Sequence, residues 1–122
     1  MATDERRKLG EALALRLFGP RERQRAVLPD ALREYTLSVV FGDLWQDDAL
    51  SLRERELITS AMLIALNRRD EQKLHFTAAK NLGIERAEIE AVITHAAFYA
   101  GWPCAVSASH VLDEVWGREA GG

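Results

Sequence analysis

The residues of this chain that could do chemistry are concentrated in one short stretch. Glu71 and His75 stand four apart, Glu56 precedes His75 by nineteen residues, and His110 follows in the last helical segment. At a spacing of four, Glu71 and His75 are neighbours on a helix surface. A carboxylate beside an imidazole is suited to proton transfer, with the histidine as donor or acceptor and the acid holding its ring. The plainer reading of His75 is a core histidine satisfied by a carbonyl, and of His110 a partly exposed helix residue. His75, His95 and His110 are 20 and 15 residues apart, so no helical pair of metal ligands exists and no zinc pattern is present. There is no phosphate-binding glycine loop, no dinucleotide fingerprint and no nucleophile elbow. Cys104, beside Pro103, is the single cysteine, and a lone small thiol is more often packing than chemistry. Arg16, Arg23, Arg25 and Arg33 are ordinary surface charges, any of which could grip a carboxylate through two nitrogens. Trp45, Trp102 and Trp116 are most economically core or subunit-interface residues.

The elements that must position these groups are helices. Ser51 and Glu54 fit a capping box. From Leu57 to Leu66 only Thr59 and Ser60 are polar, which predicts a helix buried on all sides. Asn67-Arg68-Arg69 makes a polar corner, and Asp70 is the expected N-cap of the next helix. There His75, Ala78, Ala79 and Leu82 share one face, and Gly83 stands where a C′ glycine ends a helix. Upstream, Thr3 to Phe18 reads as a helix striped by Leu9, Ala12, Leu13 and Leu17, ended by Gly19-Pro20. A basic turn over Arg21 to Leu28 leads to a second helix from Pro29-Asp30. Strand is an alternative for the β-branched Thr36 to Phe41. Downstream, Glu85 to Ala100 and a last helix from Pro103 complete an all-α chain of about six helices.

Length and composition bound the class. The 122 residues fit a single domain, 1–122, able to bury about two-thirds of its unfolded surface. Hydrophobic residues at 48 % and charged residues at 29 % make a globular profile. The net charge of −3 mixes both signs, which gives no general case for nucleic acid. One cysteine excludes an internal disulfide and suits a reducing, cytoplasmic setting. The start, MATDERRKLG, lacks a signal-peptide apolar region, and Ala61 to Leu66, the longest fully apolar run, cannot span a membrane. Residues 1–33 carry eight basic against five acidic side chains, whereas 84–122 carry two against six. That asymmetry reads as a solvated dipolar surface, or as a basic end that meets an acidic one between subunits.

FGDLW (41–45), RELITSAMLIALNR (55–68), EQKLHFTAAKNLG (71–83), ITHAAFYAGWP (93–103) and SHVLDEVW (109–116) together resemble the carboxymuconolactone decarboxylase family. The E-x-K-x-H element, Glu71 to His75, is the most specific piece, supported by the Gly-x-Pro break before the helix that holds His110. The resemblance implies an alkylhydroperoxidase-D-like bundle assembled as a homotrimer or homohexamer. The peroxide-reducing branch of such proteins carries C-x-x-C with a histidine four residues on. Those positions here are Arg68 and Glu71, and Cys104 lies in another helix, so thiol peroxidase chemistry is disfavoured. The decarboxylase branch implies conversion of 4-carboxymuconolactone to 3-oxoadipate enol-lactone and carbon dioxide in protocatechuate breakdown, without cofactor or metal. On that likeness His75 is the proton donor, oriented by Glu71 or Glu56. Glu71 is the preferred of the two, because Glu56 matches a relay glutamate kept more firmly in the redox branch. His110 would donate to the lactone oxygen or a carboxylate, Arg25 or another early arginine would hold the acetate arm, and Trp102 would wall the pocket. Alternatives are a decarboxylase acting on another lactone or β-keto acid, and a non-catalytic oligomeric binding protein.

Overall fold

A computed structural model of the protein describes residues 3–20 and 28–117. Six α-helices and no strand occur among them, and the chain divides into two compact units, Met1–Leu52 and Arg53–Gly122.

In the first unit, α1 (Thr3–Phe18) has Asp4 and Glu5 in its first turn and Arg16 in its last, charges that complement the helix dipole. Leu13 and Leu17 of the expected stripe are buried, whereas Leu9 is 38 % exposed. The short α2 (Asp30–Tyr35) runs on into a π-helical turn, Thr36–Val40. The β-branched run therefore stays helical instead of forming a strand, and Phe41 N–H reaches back five residues to Thr36 O at 3.0 Å. Close backbone approach explains why. A Cβ on Gly10 would lie 1.7 Å from Leu37 O, and one on Gly42 2.2 Å from Arg6 O. Two glycines thus let the wide turn press against α1, and this contact overrides the local preference for strand. Phe18, Phe41 and Trp45 close the unit with successive ring centroids 5.4 Å apart. Arg7 bonds Glu11 and Glu34, and these acids, Glu11 foremost, raise its guanidinium pKa above the ordinary value.

The second unit contains the stretch of interest. Helix α3 (Leu52–Ala65) and helix α4 (Arg69–Asn81) are joined by a corner of three residues. Asn67 adopts φ 56°, a left-handed conformation that asparagine tolerates better than most residues. Its N–H donates to Ile64 O at 3.0 Å, and Arg68 N–H donates to Leu63 O at 2.9 Å. This is a Schellman closure with asparagine in the usual glycine position. It brings α4 in early: Arg68, not Asp70, is the N-cap, and its carbonyl accepts from Gln72 N–H at 2.9 Å. Helix α4 ends by the same device around Gly83, φ 82°, where Ile84 N–H reaches Ala79 O at 3.0 Å.

Helix α5 (Arg86–Ala100) opens with Glu85 N–H donating to the Glu88 carboxylate at 3.0 Å. Gly101 breaks the chain before α6 (Trp102–Trp116), which packs against both α4 and α5. Ile64, Phe76, Ile89, Ile93, Ala108, Val111 and Leu112 form the centre of the core.

Helix α3 departs from the all-round burial that its composition predicts. Its buried stripe is Glu56, Ser60 and Ile64. On another face Ile58, Met62 and, just beyond the helix, Leu66 are 41 %, 59 % and 64 % exposed. Within the single chain, the deepest side of this apolar helix carries a carboxylate and a hydroxyl.

Candidate active site

Beyond the corner at Asn67, one side chain of α4 reaches back to α3. His75 Nδ1 lies 2.9 Å from Glu56 Oε1 and 3.2 Å from Oε2. The Glu56 side chain is fully buried and that of His75 is 12 % exposed. The ring is thus gripped from inside the unit, with one edge left near the surface. With the Glu56 carboxylate as acceptor, Nδ1 is the donor of this bond and carries the proton. This is the grouping general acid–base catalysis needs: a titratable ring fixed by a buried partner.

Spacing leaves Glu56 and Glu71 both open as the support of His75, and the family likeness prefers Glu71; the structure pairs the ring with Glu56. Glu71 is exposed in the first turn of α4. Residues four apart share a surface, but the histidine ring is turned toward the facing helix, where a buried acceptor stands. Trp102, expected as a pocket wall, is 63 % exposed at the start of α6, and His110 is exposed further along that helix. Arg25 lies outside the described residues. The structure therefore brings together His75 and Glu56 from the predicted set.

Two buried polar residues of the same neighbourhood escaped the sequence reading. Ser60, one turn after Glu56 on α3, and Gln72, one turn before His75 on α4, are both fully buried. Their signal was present: each stands at helical spacing from a member of the pair. Gln72 Nε2 donates to Leu63 O at 3.0 Å, a second tie between α3 and α4. Elsewhere, Arg69 Nη1 meets Ser107 Oγ at 2.9 Å, which joins α4 to α6.

A concavity of about 420 Å³ lies between α3 and α5, floored by Ala61, Ala65, Ala96 and Ala100 and edged by His95 and Tyr99. The two edge rings stack with centroids 4.7 Å apart. None of the candidate residues lines it. Its walls are almost wholly apolar.

The comparisons with known proteins bear on the family of the chain. A model of the carboxymuconolactone decarboxylase family matches residues 30–114, which include α3, α4 and α5 and most of α6. The chain belongs to this family. Among curated relatives of this chain, a 4-carboxymuconolactone decarboxylase from Acinetobacter baylyi is 37 % identical over 76 residues, 62 % of this chain and 57 % of the relative. A nitrosuccinic acid decarboxylase from Metarhizium robertsii is 34 % identical over 74 residues, 61 % of this chain and 52 % of the relative. The chain thus spans little more than half the length of the curated relatives it matches. No helix among the described residues is long and apolar enough to cross a membrane.

Proposed function

We propose that this protein is a carboxy-lyase that decarboxylates a small anionic lactone of the 4-carboxymuconolactone type without a cofactor. The observation that carries the reading is the 2.9 Å bond between the nearly buried His75 ring and the fully buried Glu56 carboxylate. Family membership and the decarboxylase names of two relatives support it.

The chemistry follows from the substrate. Breaking the bond to the departing carboxylate releases carbon dioxide and leaves an electron pair. The pair flows through the ring alkene into the lactone carbonyl, giving a dienolate. His75 Nε2 then delivers a proton to the dienolate carbon, and solvent returns that proton to the ring, so the sum is substrate plus proton to product plus carbon dioxide. Glu56 holds the ring in register. Hydrogen-bond donors at the lactone oxygen lower the barrier where charge develops, a role proposed for His110. An early arginine such as Arg25 is proposed to hold the acetate arm.

The second relative favours one wider reading. A nitro group, like an unsaturated lactone, accepts the electrons a leaving carboxylate provides. The same pair would therefore serve other acids activated by an adjacent electron sink, and family membership alone does not choose among them. Following the ultraviolet absorbance of 4-carboxymuconolactone beside related lactones and nitro acids tests both readings. Turnover of the lactone with the highest kcat/KM supports the first. Preference for a nitro acid supports the second, and saturable binding without turnover of any acid removes the enzymatic assignment.

A further inference from the structure

The pair at Glu56 and His75 is accompanied by two polar groups with nothing to bond. Ser60 Oγ and Gln72 Oε1 are both buried and both lack a hydrogen-bond partner. Buried polar atoms are almost always satisfied, so two orphans in one neighbourhood need an explanation. Their placement supplies it. Glu56, Ser60 and Ile64 form the single buried stripe of α3. Two side-chain bonds link that helix to α4: Glu56 to His75, and Leu63 O to Gln72 Nε2. Ser60 lies between those two bonds along α3.

The orientation of the Gln72 amide is fixed by its chemistry. Nε2 faces Leu63 O at 3.0 Å. Exchanging the amide atoms would set two carbonyl oxygens against each other, so Oε1 must point away from Leu63. The valences then fit one another. Ser60 offers a proton, Gln72 Oε1 asks for one, and the Glu56 carboxylate has lone pairs beyond those facing His75. A single water that accepted from Ser60 and donated to Gln72 and Glu56 would satisfy all three, the usual bond count of a buried water.

We propose that Ser60 and Gln72 are positioning residues that, through one shared buried water, hold the Glu56 carboxylate in the orientation that fixes the His75 ring. The hydroxyl and amide touch neither substrate nor the transferred proton. They act by keeping Glu56 from rotating away from Nδ1, which keeps Nε2 presented in one direction. The inference builds on the proposed acid–base role of His75 for its kinetic consequence only.

The test uses Ser60→Ala, Gln72→Met and the double variant of the whole chain, each checked for helical content by circular dichroism. Imidazole nitrogen shifts measured by NMR report which ring nitrogen of His75 carries the proton. The proposal expects wild type to hold it on Nδ1 and each single variant to show a mixture of tautomers. On the lactone, kcat should fall about tenfold with KM little changed, as for a small misplacement of a catalytic group. The double variant should be no slower than the worse single one, because the two residues serve one water. An unchanged tautomer in Ser60→Ala, or additive losses in the double variant, overturns the proposal. If wild type turns over no acid, the function proposed above fails, and the tautomer measurement still decides this inference by itself.

Discussion

At the scale of the residue, the site rests on one bond. His75 reaches a fully buried carboxylate nineteen positions away. If it donates the proton, His75→Ala lowers kcat at least about a hundredfold, the lower bound for losing a general acid; retained turnover in single-turnover assays would remove the assignment. Glu56→Gln keeps the shape and replaces the carboxylate that His75 Nδ1 meets with an amide. We expect roughly a tenfold or larger fall in kcat from it, with a smaller effect on KM. Glu71→Ala separates the two acids. Glu71 is exposed, so its loss should alter stability by less than about 0.5 kcal/mol in a denaturant titration and leave turnover near wild type. A large kinetic loss in Glu71→Ala would restore the preference that the E-x-K-x-H spacing suggests.

At the scale of the element, the corner between α3 and α4 decides which residues meet. Asn67 at φ 56° closes α3 and sends Arg68 directly into α4. Asn67→Ala should cost about 1–2 kcal/mol, the penalty of forcing an ordinary residue into left-handed backbone, whereas Asn67→Gly should be close to neutral; urea titrations of both variants read the difference. A second contact tests the first unit. Gly10→Ala places a carbon where Leu37 O already stands, so the π-helical turn must move. Overpacking of this kind costs about 1–3 kcal/mol, or a melting point lowered by at least about 4 °C in a domain of this size. An unchanged melting point would show that the turn yields without strain. Helical spacing made the elements themselves legible. Thr3 to Phe18 is bounded as the sequence predicts, and Gly83 caps α4 as expected. The start of α4 was not legible, because Asp70 is the better N-cap by type and only the closure at Asn67 moves the start to Arg68.

At the scale of the whole molecule, the exposed apolar side chains call for explanation. Ile58, Met62, Phe98, Tyr99 and Trp102 are each more than 40 % exposed in the single chain, and large exposed apolar patches mark interaction sites. We propose that they are covered in a homotrimer or homohexamer, the assembly that the family likeness implies. Light scattering coupled to size exclusion should therefore return a mass of three or six chains, and Met62→Arg should lower it. A monomer at micromolar concentration would contradict the expectation and leave these residues to another partner.

What the sequence determined by itself is what depends on neighbours along the chain. Helix periodicity, the glycine and proline stops and the position of the imidazole on α4 are local, and a period of 3.6 residues displays them directly. The tertiary structure decided what depends on the turn. A left-handed Asn67 sets the register of α4 against α3, and that register gives His75 to Glu56 instead of Glu71. It also decided which side of an apolar helix is inside. Hydrophobicity shows that α3 seeks burial on several faces, but only the packed arrangement puts Glu56 and Ser60 on the deepest one. A buried carboxylate there is stable because the histidine of the next helix meets it, and that partner lies beyond the reach of any local pattern.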